Sequence, residues 1–209
     1  MPPARPRRYT ARVLRILLIC TGNICRSPMA LGFLADRSGR LLDGALIVRS
    51  AGTWARPGSP PTPEAEASVA ERGIDISDHR STPVSSDLIG WADLIITMTA
   101  EHRDEVLDMT PDADDRTFTL KELVALLGAL PPPEVERSRD ALLARVDEAS
   151  ALRASGRAPA PADADVVDPI GMSDETYRAV AWELEELTDA LVRRLAGADA
   201  RIPAGDGEG

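Results

Sequence analysis

The sequence predicts an α/β fold, a small four-stranded parallel sheet with helices on both faces. Three observations predict it. Short apolar runs alternate with amphipathic stretches along most of the 209 residues. The first run, Ile16-Leu17-Leu18-Ile19, is unbroken, as in a parallel strand buried on both faces. That run ends in a tight turn followed directly by a helix start, and sheets of this kind carry their ligand sites at the carboxyl ends of their strands.

Strands are predicted near 14–19, 45–49, 93–98 and 116–120, and helices near 28–42, 62–72, 84–91, 100–107, 120–130 and 173–196. After the first strand, Gly22-Asn23 supplies two residue types that tolerate left-handed backbone. Pro28 then falls in a first helical turn, where its missing N–H costs nothing. Thr62-Pro-Glu64 reads as a helix start and Gly73, after Ala70-Glu-Arg72, as a helix end. Residues 131–165 differ. Pro131-Pro-Pro133 breaks the preceding helix, Glu134 to Ala154 reads as a charged amphipathic helix, and Ser155 to Pro161 reads as a linker. This helical insertion is expected to be a solvated excursion, or else a lid or docking element over the site. The expected organisation is one domain over 13–196, with a basic flexible tail at 1–12 and a second flexible tail at 197–209. No internal repeat is present.

Composition narrows the function. With 44% hydrophobic residues the chain can bury a core. A formal charge of −10, with positive charge concentrated only in the five arginines of the first 15 residues, argues against a nucleic-acid partner. No apolar run approaches the ~20 residues of a membrane span, and the N-terminus lacks the apolar middle of a signal peptide, so no membrane partner is expected. Two cysteines only five apart make no disulfide framework, and the cytoplasm is the expected location. Two distant histidines and two loop cysteines give no metal-ligand pattern, so no metal is expected.

The turn itself carries the chemistry. Cys20 ends the first strand and Arg26 follows six positions later at the helix start. The five residues between them, Thr21, Gly22, Asn23, Ile24 and Cys25, can make a phosphate-binding loop whose backbone N–H groups point inward at a tetrahedral oxyanion. Arg26 then presents a planar fork that takes two oxygens at once, which a lysine cannot do. The helix beginning near Ser27 adds free amides and the positive end of its dipole, which favour both a bound phosphate and a Cys20 thiolate.

Cys20-Thr-Gly-Asn-Ile-Cys-Arg-Ser-Pro28 resembles the active-site signature of the low-molecular-weight protein tyrosine phosphatases. Further stretches fall in that family's order: Ser50-Ala-Gly-Thr53, Gly73-Ile-Asp-Ile-Ser-Asp-His-Arg80, Ala92-Asp-Leu-Ile-Ile-Thr-Met98 and Asp168-Pro169. The resemblance implies Cys20 as nucleophile, Arg26 as oxyanion clamp and Asp168 as general acid, on a backbone that Pro169 biases towards extended. It also implies that Asn23, Ser27, Ser50 and His79 hold the loop in shape, and that Cys25 can form a reversible disulfide with Cys20. Trp54, just after Ser50-Ala-Gly-Thr53, is expected as an aromatic wall of the substrate pocket. His102 is read as a helix residue on a solvated face. Two features depart from the family: Ile170-Gly171-Met172 stands where aromatics usually follow the Asp-Pro, and no tyrosine pair is present. The implied function is a phosphomonoester hydrolase without cofactor, a protein-tyrosine phosphatase that acts on a phosphorylated protein or small phosphomonoester through a phosphocysteine. The alternatives are an arsenate reductase of the same fold using an external thiol and a non-catalytic phosphate-binding module.

Overall fold

The structure, a computed structural model, describes residues 13–42, 45–132, 138–158 and 163–197. Four strands, β1 (Leu14–Cys20), β2 (Leu46–Gly52), β3 (Leu94–Thr97) and β4 (Thr117–Thr119), form a parallel sheet in the order β2-β1-β3-β4. Their ends fall within three residues of the expected ones. The largest difference is at β2, which runs on to Gly52 because its pairing with β1 continues to the register Cys20↔Gly52.

β1 lies inside the sheet, and its apolar run divides between two cores. Leu14, Ile16 and Leu18 face the larger one, whereas Leu17 and Ile19 face the smaller. The larger core is closed by α1 (Arg26–Leu41), α2 (Pro63–Ala70), α5 (Leu120–Ala129), α6 (Arg139–Ala154) and α7 (Asp174–Ala196), through Leu34, Val69, Leu123, Leu142 and Leu184. The smaller is closed by α3 (Ser86–Trp91), α4 (Ala100–Met109) and a 3-10 turn at Pro111–Arg116, through Ile89, Val106 and Ala113. That 3-10 turn is absent from the expected elements, since Pro111-Asp112-Ala113-Asp114 carries only loop signals. The helices on both faces follow the expected α/β architecture.

The helix of the insertion, α6, packs into the core and is neither a lid nor a solvated excursion. Leu142, Val146 and Ala149 of α6 belong to the larger core. Arg153 caps the β4 side, with Nη1 donating to the Thr117 carbonyl at 2.8 Å and its guanidinium 4.3 Å from the Phe118 ring centre. At the other end of α6, Arg139 Nη2 donates to Asp93 Oδ1 at 2.9 Å. Residues 1–12, 198–209, 133–137 of the insertion and 159–162 of the linker, where tails, helix start and linker were expected, lie outside the described residues.

Candidate active site

β1 delivers Cys20 to the carboxyl end of the sheet, and α1 begins at Arg26, two residues before the expected start. The loop between them turns on Asn23, whose φ of 55° is the one positive value at a non-glycine among the described residues. A left-handed residue with a Cβ costs about 1–2 kcal/mol, and hydrogen bonds from every side hold this one. Its Nδ2 donates to Ser27 Oγ and Ser50 Oγ, both at 2.9 Å. Its Oδ1 accepts from Thr82 N at 2.8 Å, and its carbonyl accepts from His79 Nε2 at 2.8 Å. Burial, and to a lesser degree Arg80, pushes the His79 pKa down, which suits a neutral ring donating one proton. Gly52 completes the seat, because a Cβ there would collide with the Thr21 carbonyl oxygen and crowd the Asn23 amide.

Cys20 is 2% exposed. Its sulfur lies 3.0 Å from Ser27 Oγ and 3.3 Å from the donating Asn23 N–H. Arg26 comes back round beside it and is itself buried. Its Nη1 donates to the Val166 carbonyl at 3.1 Å, and its Nη2 to Thr21 Oγ1 at 3.1 Å and to Asp168 Oδ2 at 2.5 Å. The buried Nε of Arg26 has no partner among the described residues. Neither do the backbone N–H groups of Gly22, Ile24, Cys25 and Arg26. A cavity of about 140 Å³ gathers these groups, lined by Cys20, Arg26, Asp168, Ile170 and every loop residue except Asn23. The arrangement pairs a sulfur with unpaired donors and a carboxylate across one small pocket, as displacement at an oxyanion requires.

The loop carrying Asp168 is fastened at several points. Val166 N donates to the Met98 carbonyl at 2.8 Å, and Ala100 N to Asp165 Oδ1 at 2.8 Å. Lys121, the sole lysine of the chain, donates to the Asp165 carbonyl at 2.6 Å and pairs with Asp163 at 3.3 Å and Glu183 at 2.8 Å.

Two residues stand differently from expectation. His102, expected on a solvated face, is 3% exposed, with its Nε2 2.9 Å from Thr21 Oγ1 and its Nδ1 2.7 Å from Thr99 Oγ1. Of the first turn of α4, His102 faces inward while Ala100 and Glu101 are exposed, because β3 hands the helix over at the carboxyl end of the sheet, and that position was the one available signal. Trp54, expected as a pocket wall, is not among the lining residues. Its backbone N–H donates to the Thr21 carbonyl, while the ring is 78% exposed with Nε1 donating to Glu105. Tyr177 is buried behind the loop, its hydroxyl 3.6 Å from Cys25 Sγ and 3.4 Å from Thr62 Oγ1. Burial pushes the Cys25 thiol up, so it favours the neutral form.

A thiol at the end of the first strand and an arginine at the next helix start, lining one small pocket at the carboxyl end of a parallel sheet, define the class of α/β protein to which the chain is compared. Residues 15–148 match the family model described as low molecular weight phosphotyrosine protein phosphatase. The chain belongs to that family. It is 35% identical over 181 residues to a protein-arginine-phosphatase of Geobacillus stearothermophilus, covering 87% of this chain and 95% of that one. It is 37% identical over 131 residues to an arsenate reductase of Brevibacillus brevis, covering 63% of this chain and 90% of that one. A crystal structure of a low molecular weight protein tyrosine phosphatase from T. tengcongensis superposes with a TM-score of 0.65 at 32% identity, covering 87% of this chain and 99% of that one. Among the described residues no helix is long and apolar enough to cross a membrane.

Proposed function

We propose that the protein is a protein-tyrosine phosphatase working through a phosphocysteine intermediate. The observation that carries the reading is the single pocket holding the Cys20 sulfur, the unpartnered Arg26 Nε and the Asp168 carboxyl group. The Cys20 thiolate attacks phosphorus in line. The S–P bond forms as the ester P–O bond breaks, and Asp168 gives its proton to the leaving oxygen. The Arg26 Nε and the amides of Gly22, Ile24, Cys25 and Arg26 hold the three equatorial oxygens. Water then attacks the phosphocysteine while Asp168 takes its proton, releasing phosphate and restoring the thiolate. These side chains supply every step. Asn23, Ser27, Ser50 and His79 keep the loop in shape. A thiolate nucleophile with a second free thiol, Cys25, in its own loop works in a reducing compartment, so the cytoplasm is the proposed location.

Phosphotyrosine is favoured by the walls. Ile24 and Ile170 line the pocket, and Val167, Ile170 and Met172 of the acid loop are about half exposed, a setting for an aryl ring rather than a charged guanidine. A second reading, phosphoarginine, is favoured by the extent of the match to the Geobacillus protein-arginine-phosphatase. Arsenate reduction would need a thiol from another molecule, because the sequence holds only Cys20 and Cys25.

The test is turnover of para-nitrophenyl phosphate beside phosphotyrosine, phosphoserine, phosphothreonine and phosphoarginine peptides, with arsenate plus a small thiol as a further arm. Hydrolysis of phosphotyrosine well above the other peptides is expected, with loss of turnover in Cys20→Ser. Faster release from phosphoarginine moves the assignment to the second reading. Absence of any turnover leaves only a binding module.

A further inference from the structure

His102 has no place in the mechanism above, yet it is a buried polar side chain with both of its ring nitrogens engaged. Burying an imidazole costs free energy unless its nitrogens are paired. An apolar side chain of similar size would fill the same space without that need. What the imidazole adds is a link between two hydroxyls.

The direction of the link follows from counting protons. Thr99 caps α4, and its Oγ1 accepts the His102 backbone N–H at 3.3 Å. The Thr99 hydroxyl proton is then free for His102 Nδ1, 2.7 Å away. On this assignment the ring carries its own proton on Nε2 and donates it to Thr21 Oγ1 at 2.9 Å. Thr21 Oγ1 also accepts from Arg26 Nη2 at 3.1 Å. A threonine hydroxyl has two acceptor sites and one proton, so both acceptor sites are filled from behind. The Thr21 proton is left for an oxygen in the pocket that Thr21 lines.

We infer that His102 is a positioning residue for the phosphate cradle, holding Thr21 so that its hydroxyl braces the Arg26 fork and offers a proton to a phosphoryl oxygen. The relay runs from the first turn of α4 through Thr21 to Arg26. The β3–α4 junction that anchors it also fastens the acid loop, through Met98 and Ala100. Both halves of the site therefore share one support. The relay requires a neutral ring, and the surroundings favour one. Burial, then the facing Arg26, pushes the His102 pKa down to about 4, against the opposing pull of Glu105, Asp168 and Asp165.

The inference rests on the phosphatase reading, because turnover is its readout. A wild-type protein without turnover defeats that reading, whereas the outcomes below defeat only the role of His102. The experiment measures kcat and KM for para-nitrophenyl phosphate, and inhibition by inorganic phosphate, in the full chain and in His102→Leu, His102→Gln, Thr21→Val and the double variant His102→Leu/Thr21→Val. Thermal unfolding of each confirms that it is folded. His102→Leu is expected to lose roughly tenfold or more in kcat/KM and to bind phosphate correspondingly less tightly, as befits a hydrogen-bond relay to a charged group. His102→Gln is expected to recover most of this, since its amide N–H can reach where the imidazole Nε2–H stood. The double variant should be no worse than Thr21→Val alone, because both changes cut one chain. Multiplicative losses in the double variant, near-normal turnover in His102→Leu, or a folded His102→Gln as impaired as His102→Leu would each overturn the role.

Discussion

Asn23 carries more hydrogen bonds than any other residue of the loop, and it holds the loop's left-handed turn. Its side chain and its conformation can be separated by experiment. Asn23→Gly relieves the Cβ strain of positive φ but loses three side-chain hydrogen bonds, whereas Asn23→Ala loses the same bonds and keeps about 1–2 kcal/mol of backbone strain with nothing to hold it. Both should lower kcat by roughly tenfold or more through a loosened cradle, with Ala the worse of the two and the less stable to urea. Equal damage from Gly and Ala would mean that the hydrogen bonds alone shape the loop. At this scale the placement of Cys20, Arg26 and Asn23 around one loop was legible because it depends on spacing within a few residues. His102 was not, since Thr21, the partner that gives it meaning, lies 81 residues away. Its neighbours Glu101, Arg103 and Asp104 mark the helix as solvated, and only the sheet turns its third residue inward.

The elements were read more closely than the contacts between them. Apolar periodicity locates a strand or helix but does not say what a charged helix lies against, so α6 was legible as a helix and not as a wall of the core. One end of it is tied down by Asp93, a carboxylate with a 7% exposed side chain that accepts from Arg15 N and Nε at 3.0 Å, Arg15 Nη2 at 2.7 Å and Arg139 Nη2 at 2.9 Å. Burial pulls its pKa up, but the hydrogen bonds from Arg15 and Arg139 prevail and bring it to about 2. A carboxylate lowered in this way stabilises the fold fully above the ordinary value of 3.8, and the contribution is lost as pH falls from there towards 2, by about 2 kcal/mol at most. Asp93→Asn should destabilise the protein at pH 7 by about 2–4 kcal/mol, because it leaves two guanidinium groups short of an anion. Its denaturation midpoint should also change less than that of the wild type between pH 4 and 2. Asp93 bonds to Arg15, five residues before Cys20 along β1, so it lies roughly 17 Å from the sulfur at strand spacing and kcat should hardly change. A variant that kept full stability would show that α6 docks through its apolar face alone.

Across the whole molecule, the parallel sheet brings together groups the sequence keeps far apart. Cys20 ends β1, Ser50 and Gly52 end β2, Met98 to His102 follow β3, and Asp168 arrives only after α6 has crossed the β4 side of the sheet. The assembly can be tested at its most remote member. If Asp168 protonates the leaving oxygen, Asp168→Asn should slow substituted phenyl phosphates with poor leaving groups far more than activated ones, because a phenol of pKa about 10 needs the proton. A para-nitrophenolate departs with much less help. The variant should therefore show a steep dependence of kcat on leaving-group pKa where the wild type shows a shallow one. The Arg26–Asp168 contact makes a further distinction possible, since losing the carboxylate frees the one Arg26 Nη2 proton not given to Thr21 and should leave phosphate binding intact or tighter while kcat drops. Parallel leaving-group plots for the two proteins would remove Asp168 from the chemistry and leave its pairing with Arg26 as its only role.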